Sequence, residues 1–207
     1  NGELQELPAI SLATSAVSQI FAAMTSEDTI WNFGAFARNA GVTAVSDLSG
    51  PMLIDPGSLA TWQRIVNDPA FPARVLVYNT AAPPGSSSDW GASADAVKDL
   101  QRNASSDKLR FPGVKFVIDG SIQGWTAVMN WPGYYTGEDQ GILLTVPEQF
   151  VDWLRPFHQA GINVHTHCNG DATIDLFIDA VEQLVIEHAW LDHRHTVQHS
   201  QLTSSAQ

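Results

Sequence analysis

Lys115, His167 and His199 lie far apart in the chain, each inside a stretch that reads as a strand: GVKFVIDGS, INVHTH and HTVQHSQ. Parallel strands present their C-terminal ends to one shared face, so residues remote in sequence can meet there around one ion. Taken singly, each is a weak signal, because a lone strand histidine is more often structural and a strand lysine usually reaches solvent. Lys115 is harder to set aside. Its neighbours in VKFVI are apolar, and an ammonium buried among them without a partner is costly. Carbamylation by CO₂ would turn that amine into a carboxylate-like anion able to bridge two cations.

His165 and His167 point to the same side of their strand, since side chains alternate with period two. They stand about 6.6 Å apart along it, so only the later one reaches the C-terminal rim. His167 is therefore the expected ligand and His165 a buried, hydrogen-bonded neighbour. Cys168 faces the opposite side from His167 and cannot form a nucleophile–base pair with it. The tract HAWLDHRHTVQH from His188 to His199 reads as a polar helix-to-strand connection with one functional histidine at its end. The aromatic segment GWTAVMNWPGYY, from Gly124 to Tyr135, fits a substrate lid and core packing equally well.

Helix and strand patterns alternate along the chain, which favours a parallel α/β sheet or barrel. Helices are expected over Ser11–Met24, over a segment that Ser26 caps and Gly41 ends, and from GSLATWQRIV. Others are expected from SADAVKDLQRN, from TVPEQFVDWLRPFHQAG with Thr145 and Glu148 as a capping box, and from a segment capped by Asp171. VTAVSDL and ARVLVYNT add two buried strands to the three that carry Lys115, His167 and His199. About five strand–helix units follow one another in a single incomplete domain over residues 1–207. That length is short for an eight-unit barrel, which takes about 250 residues.

Composition narrows the function. With 10 basic and 22 acidic residues the net charge is −12, which argues against nucleic acid. No run approaches the roughly 18 uncharged apolar residues of a membrane span. The single cysteine excludes an intrachain disulfide framework or a Cys-rich zinc site. It also makes the cytoplasm the default location, with no export signal in NGELQELPAI.

The segments GVKFVIDGSIQG, VHTHCNGD and HTVQHSQ resemble three successive signatures of the amidohydrolase superfamily. The likeness is to its family 3 branch, the N-substituted formamide deformylase-like metal hydrolases. NAGVTAVSDL resembles the segment leading into the second strand of that family's barrel, so the likeness covers most of the chain. It implies a partial (β/α)8 TIM-type barrel comprising about strands 2 to 6. Lys115 would be the ligand of the fourth barrel strand, in carboxylated form, with His167 on the fifth and His199 on the sixth. Asp119, Ser121 and Trp125 would contact substrate from the loop after the fourth strand. Trp125 stands where the family commonly has a small or polar residue. Gln198 stands where it has glutamate, with a side chain expected to face away from the metal.

The resemblance further implies one or two divalent ions, most plausibly Zn²⁺, and a metal-activated hydroxide attacking a small-molecule amide or formamide. The His-x-His of the family's first strand and the aspartate of its eighth, the proton shuttle, have no counterpart in this sequence. The chain is accordingly expected to be an inactive fragment of such an enzyme, with unpaired sheet edges that favour association between copies. The competing reading is a non-catalytic α/β module.

Overall fold

A computed structural model describes residues 4–13, 15, 18, 26–81, 88–137 and 141–207. Five strands, β1 (Ala44–Gly50), β2 (Arg74–Thr80), β3 (Leu109–Val117), β4 (Asn163–Cys168) and β5 (Thr196–His199), lie in chain order in one sheet, and every pair is parallel. The sheet curls into a half-barrel flanked by helices. After the short α1 (Glu6–Ile10) come α2 (Glu27–Asn39), α3 (Ser58–Val66), α4 (Trp90–Asp99), α5 (Pro147–Gln159) and α6 (Asp171–Glu187). One helix returns the chain between each pair of strands, the connection that parallel neighbours require.

The helix starts and stops have local causes. The Ser26 hydroxyl accepts the Thr29 N–H at the head of α2, and Gly41 takes a left-handed φ of 71° beyond its end, as a helix-terminating glycine should. Asp89 caps α4 in the same way through the Ala92 N–H. Two expected caps are not the observed ones. α5 begins one residue later, after Val146, with Pro147 at its first position, where the fixed φ of proline suits a helix start and its missing N–H costs nothing. α6 is preceded by Gly170, with Asp171 its first residue, and the Asp171 carboxylate accepts the N–H groups of Ala172 and Asn130. Of the helix expected over Ser11–Met24, Ser11–Ala13 forms a 3₁₀ turn, and most of the remainder lies outside the described residues.

The apolar residues settle on the helix-facing side. Val75, Val77, Leu109 and Phe111 pack with Ile65 and Phe71, while Val114, Phe116 and Val164 pack with Phe150, Phe157 and Phe177. Phe116 meets Phe150 and Phe157 edge-on at centroid distances of 6.3 and 5.7 Å, a favoured aromatic geometry. Each such side chain contributes about 1.5–3 kcal/mol by leaving water. β1, expected to be buried, is half-exposed, because it is the sheet's edge and has a neighbour on one side only.

One irregularity governs the site. Leu109 and Phe111 face the helices, and strict alternation would send Lys115 the same way. Instead the β2–β3 register slips, with Leu76 opposite Arg110 but Tyr78 opposite Gly113. The extra residue on β3 is a bulge at Phe111–Pro112, both opposite Val77, the kind of place where a strand tolerates proline. It inverts the parity, so that Val114 and Phe116 go to the helices and Lys115 goes to the concave face. A Cβ on Gly113 would run into the backbone carbonyl of Asn163 on β4, so only glycine fits. Gly113→Ala is expected to lower the unfolding free energy by about 1–3 kcal/mol, measured by urea denaturation. An unchanged midpoint would show that β3 and β4 are not held as closely as described.

Candidate functional site

The register β3 to β4 sets Lys115 opposite His165 and Val117 opposite His167, and the next places His167 opposite Gln198. Partners across a parallel pair share a face, so Lys115, His165, His167 and Gln198 all line the concave side. Gln198 therefore does not turn away from the site. Its amide lies 2.8 Å from His165 Nδ1. His199 should by alternation point at the helices with Val197, yet its ring centroid lies 4.5 Å from that of His167. A left-handed φ of 75° at the end of β5 brings it round to the concave side. The structure thus gathers the three expected ligands on one face, by a bulge in β3 and a turned residue in β5.

Each member has a distinct environment. Lys115 is 5% exposed, and its ammonium has no hydrogen-bond or ion-pair partner among the described residues. Burial lowers its pKa to about 8 against the opposing pull of Asp119. His165 stacks on Tyr78 from β2 at 3.9 Å between centroids, and burial, helped by Lys115, lowers its pKa to about 4. His167 Nε2 lies 2.7 Å from the Gly120 carbonyl, to which it donates, so the neutral ring presents Nδ1 as its lone pair. His199 is lowered by partial burial and then by its neighbour His167, and neither of its ring nitrogens has a hydrogen-bond partner among the described residues.

The three residues expected to touch substrate behave differently. Asp119 has no exposed surface. Its oxygens accept the N–H groups of Asn169, Gly170 and Val128 and the hydroxyl of Thr173, and His167 Nε2 lies 3.4 Å from Oδ1. In this structure the carboxylate binds the loop after β3 to the start of α6, at the positive end of the helix dipole, and presents no surface to a substrate. Ser121 is half-buried and its hydroxyl accepts the Gly124 N–H, closing a turn. Trp125 is exposed, as are Trp131 and Tyr135. Trp125 holds a left-handed φ of 53°, pinned by its own N–H to Ile122 O and by Gly141 N–H to its carbonyl. The aromatic segment is thus largely a solvent-facing loop at the strand C-termini, with Ala127 and Thr126 as its buried footing.

This donor set suits a divalent ion in part. A buried amine and a largely exposed imidazole, neither with a hydrogen-bond partner among the described residues, sit on one face, with the His167 ring against that of His199. Among the described residues no three His, Cys, Asp or Glu side chains gather as a metal cage. Lys115 adds a third nitrogen to that face, and an amine becomes an anionic ligand only as a carbamate. Cys168 takes no part. It is fully buried on the helix side, and burial pushes its thiol far above the usual range.

A sequence profile of the amidohydrolase family matches residues 5–207. The chain belongs to the amidohydrolase family. Among curated proteins, Protein LONG AFTER FAR-RED 3 of Arabidopsis thaliana is 24% identical over 176 residues, covering 84% of this chain and 30% of that protein. An uncharacterized metal-dependent hydrolase from Pyrococcus furiosus superposes with a TM-score of 0.61 at 20% identity, over 87% of this chain and 34% of its own. Another, from Pyrococcus horikoshii OT3, gives 0.51 at 20% identity, over 72% and 28%. The chain thus spans about a third of the length of the relatives it matches, and the structural likeness shows a shared fold.

Tyr78 and Asn169 escaped the sequence reading, and Gln198 was expected to face the other way. Gln198 was detectable only by register, and Asn169, whose amide donates to Gly120 O, had no pattern to mark it. Asp119→Ala would strand the N–H groups of Asn169, Gly170 and Val128. At about 1–3 kcal/mol for each buried orphan donor, it should cost at least about 3 kcal/mol in chemical denaturation. A variant as stable as the parent would show that the carboxylate is free for other work.

Proposed function

We propose that this chain carries part of the metal centre of a metal-dependent hydrolase acting on carbon–nitrogen bonds other than peptide bonds, in small amide- or formamide-type substrates. The observation that carries the reading is Lys115. The residue is nearly buried, its ammonium has no partner among the described residues, and it lies on the same concave face as His167 and His199. A protein core rarely retains such a group without use for it. Family membership and the metal-dependent hydrolases among its structural neighbours support the same reading.

In this proposal Lys115, as its carbamate, and the imidazoles of His167 and His199 hold one or two divalent ions, with Zn²⁺ the best fit to imidazole and carboxylate-type donors. The ion, when bound, supplies a Lewis acid that brings the pKa of a coordinated water towards about 7. The chain's own residues do the rest. Asp119 fixes the loop that carries Gly120, and through it the ring of His167. Gln198 and Tyr78 hold His165 beside the ligands. Ser121 and the exposed Trp125 border the approach, where an apolar substituent of the substrate would rest. With so few protein donors among the described residues, metal binding by this chain alone is expected to be weak and its turnover negligible. Its unpaired β1 and β5 edges make association between copies a further expectation.

The test is metal analysis of the purified 207-residue chain after incubation with Zn²⁺, with and without ¹³C-bicarbonate, alongside ¹³C NMR for a lysine carbamate. Bicarbonate should raise the bound metal and give a carbamate resonance that Lys115→Ala abolishes, and His199→Ala should lower the metal content several-fold. If the parent binds no metal, or Lys115→Ala binds as much as the parent, the hydrolase reading fails.

A further inference from the structure

At the opposite end of the sheet from Lys115 and His199, three elements meet through a chain of imidazoles. The Val164 N–H at the start of β4 donates to His195 Nδ1 at 3.1 Å. His195 Nε2 lies 2.9 Å from His158 Nδ1 on α5, and His158 Nε2 lies 2.8 Å from the His188 carbonyl at the end of α6. A carbonyl can only accept, and Val164 N–H can only donate, so the protons are assigned throughout. His195 Nε2–H donates to His158 Nδ1, and His158 Nε2–H donates to His188 O. A third ring, His193, stacks 4.6 Å from His195 and accepts the His195 backbone N–H on its Nδ1. No nitrogen joining His195 to Val164 or to His158 is free to take a proton. One added at His195 Nδ1 would confront the Val164 N–H; one added at His158 Nδ1 would confront His195 Nε2–H.

The position of this chain matters because His195 immediately precedes β5. That strand has four residues, pairs with β4 alone and ends in His199. Besides its ladder to β4, the segment is tied there by the Asn163 amide, which donates to His193 O, and by Gln198 against His165; none of these reaches the helices, which the imidazole chain does. We propose that His158 and His195 are positioning residues, an acid-labile anchor that holds β5 on β4 and so holds His199 at the site; the link to metal rests on the function proposed above.

Few charges around the anchor oppose it. On α5, Arg155 is engaged by Asp152 and by Glu187 of α6. Glu182 of α6 borders the groove beside His193 and His195. In the connection, Asp192 pairs with Arg194. His158, His193 and, from β4, His165 all disfavour a charge on His195. Burial, with these neighbours, lowers the His195 imidazole to about 3, and burial likewise lowers His193. An unfolded histidine titrates at about 6.5. The anchor is therefore at full strength above about pH 6.5 and weakens as pH falls towards about 3. The closed state loses up to about tenfold in equilibrium constant per pH unit for each imidazole kept neutral.

Amide hydrogen exchange of the 207-residue chain between pH 7 and pH 5, expressed as protection factors, tests this. Protection at Thr196, Val197 and Gln198 should fall about tenfold or more across that range while Val75 and Val77 in β2 hold theirs. His195→Asn retains an acceptor for Val164 N–H and has no titratable proton of its own, so its β5 protection should be lower at pH 7 and fall less steeply with pH than the parent's. If the variant does not fold, NMR titration of the parent's imidazole C–H resonances decides: His195 should stay neutral to below pH 5. A pH-independent β5 in the parent, or a native His195 that titrates near pH 6.5, overturns the anchor. Loss of the metal reading alone would appear instead as absent Zn²⁺ binding with the β5 profile intact.

Discussion

A strand buried on one face has to keep its alternation in phase with the helices that cover it, and β3 changes phase half-way along. Its first half sends Leu109 and Phe111 under α2 and α3, its second sends Val114 and Phe116 under α4 to α6, and the bulge at Phe111–Pro112 absorbs the difference. Without that extra residue Lys115 would sit among the phenylalanines of the helix layer, where an ammonium has no means of survival. With it, the amine joins two histidine-bearing strands on the concave side. The close approach of Gly113 to the Asn163 carbonyl keeps β3 and β4 in the register that pairs Lys115 with His165.

Two polar assemblies then brace the ends of the half-barrel. At the C-terminal rim, Asp119 gathers donors from the loop after β3, from the turn after β4 and from α6, so the segments flanking His167 move as one piece. At the N-terminal end, the His158–His195 chain ties α5 and α6 to β4 and the start of β5. Both consist of buried or part-buried polar groups linked across distant segments, and such networks rigidify a structure in so far as their members are satisfied. They differ in what disturbs them. The carboxylate hub depends on charge, the imidazole chain on its absence.

Family membership agrees with this division of labour. Barrel enzymes place chemistry at the C-terminal ends of strands and stability at the other end, and here the Lys115 amine and the His199 imidazole lie at the former. The left-handed residues Trp125 and His199 also lie there. Strained backbone of this kind persists where surrounding contacts over-determine it, as the hydrogen bonds flanking Trp125 do.

Local composition was enough for the elements: apolar β-branched runs for the five strands, Ser26 and Gly41 for the limits of α2, and the order of Lys115, His167 and His199 for the family. Those features depend on neighbours within a few residues, which a linear reading sees. Folding in three dimensions decided the remainder. Asp119, expected at a substrate, became a buried hub because its partners Asn169, Gly170 and Thr173 arrive from 50 or more residues away. Gln198, expected to turn away, faces the site because cross-strand register outranks its place beside His199. His158 and His195 looked like ordinary polar residues until α5 and β5 were brought side by side. In each case the deciding partner was distant in the chain, and hydrogen-bond geometry, unlike hydrophobic periodicity, leaves no trace in the spacing of residues.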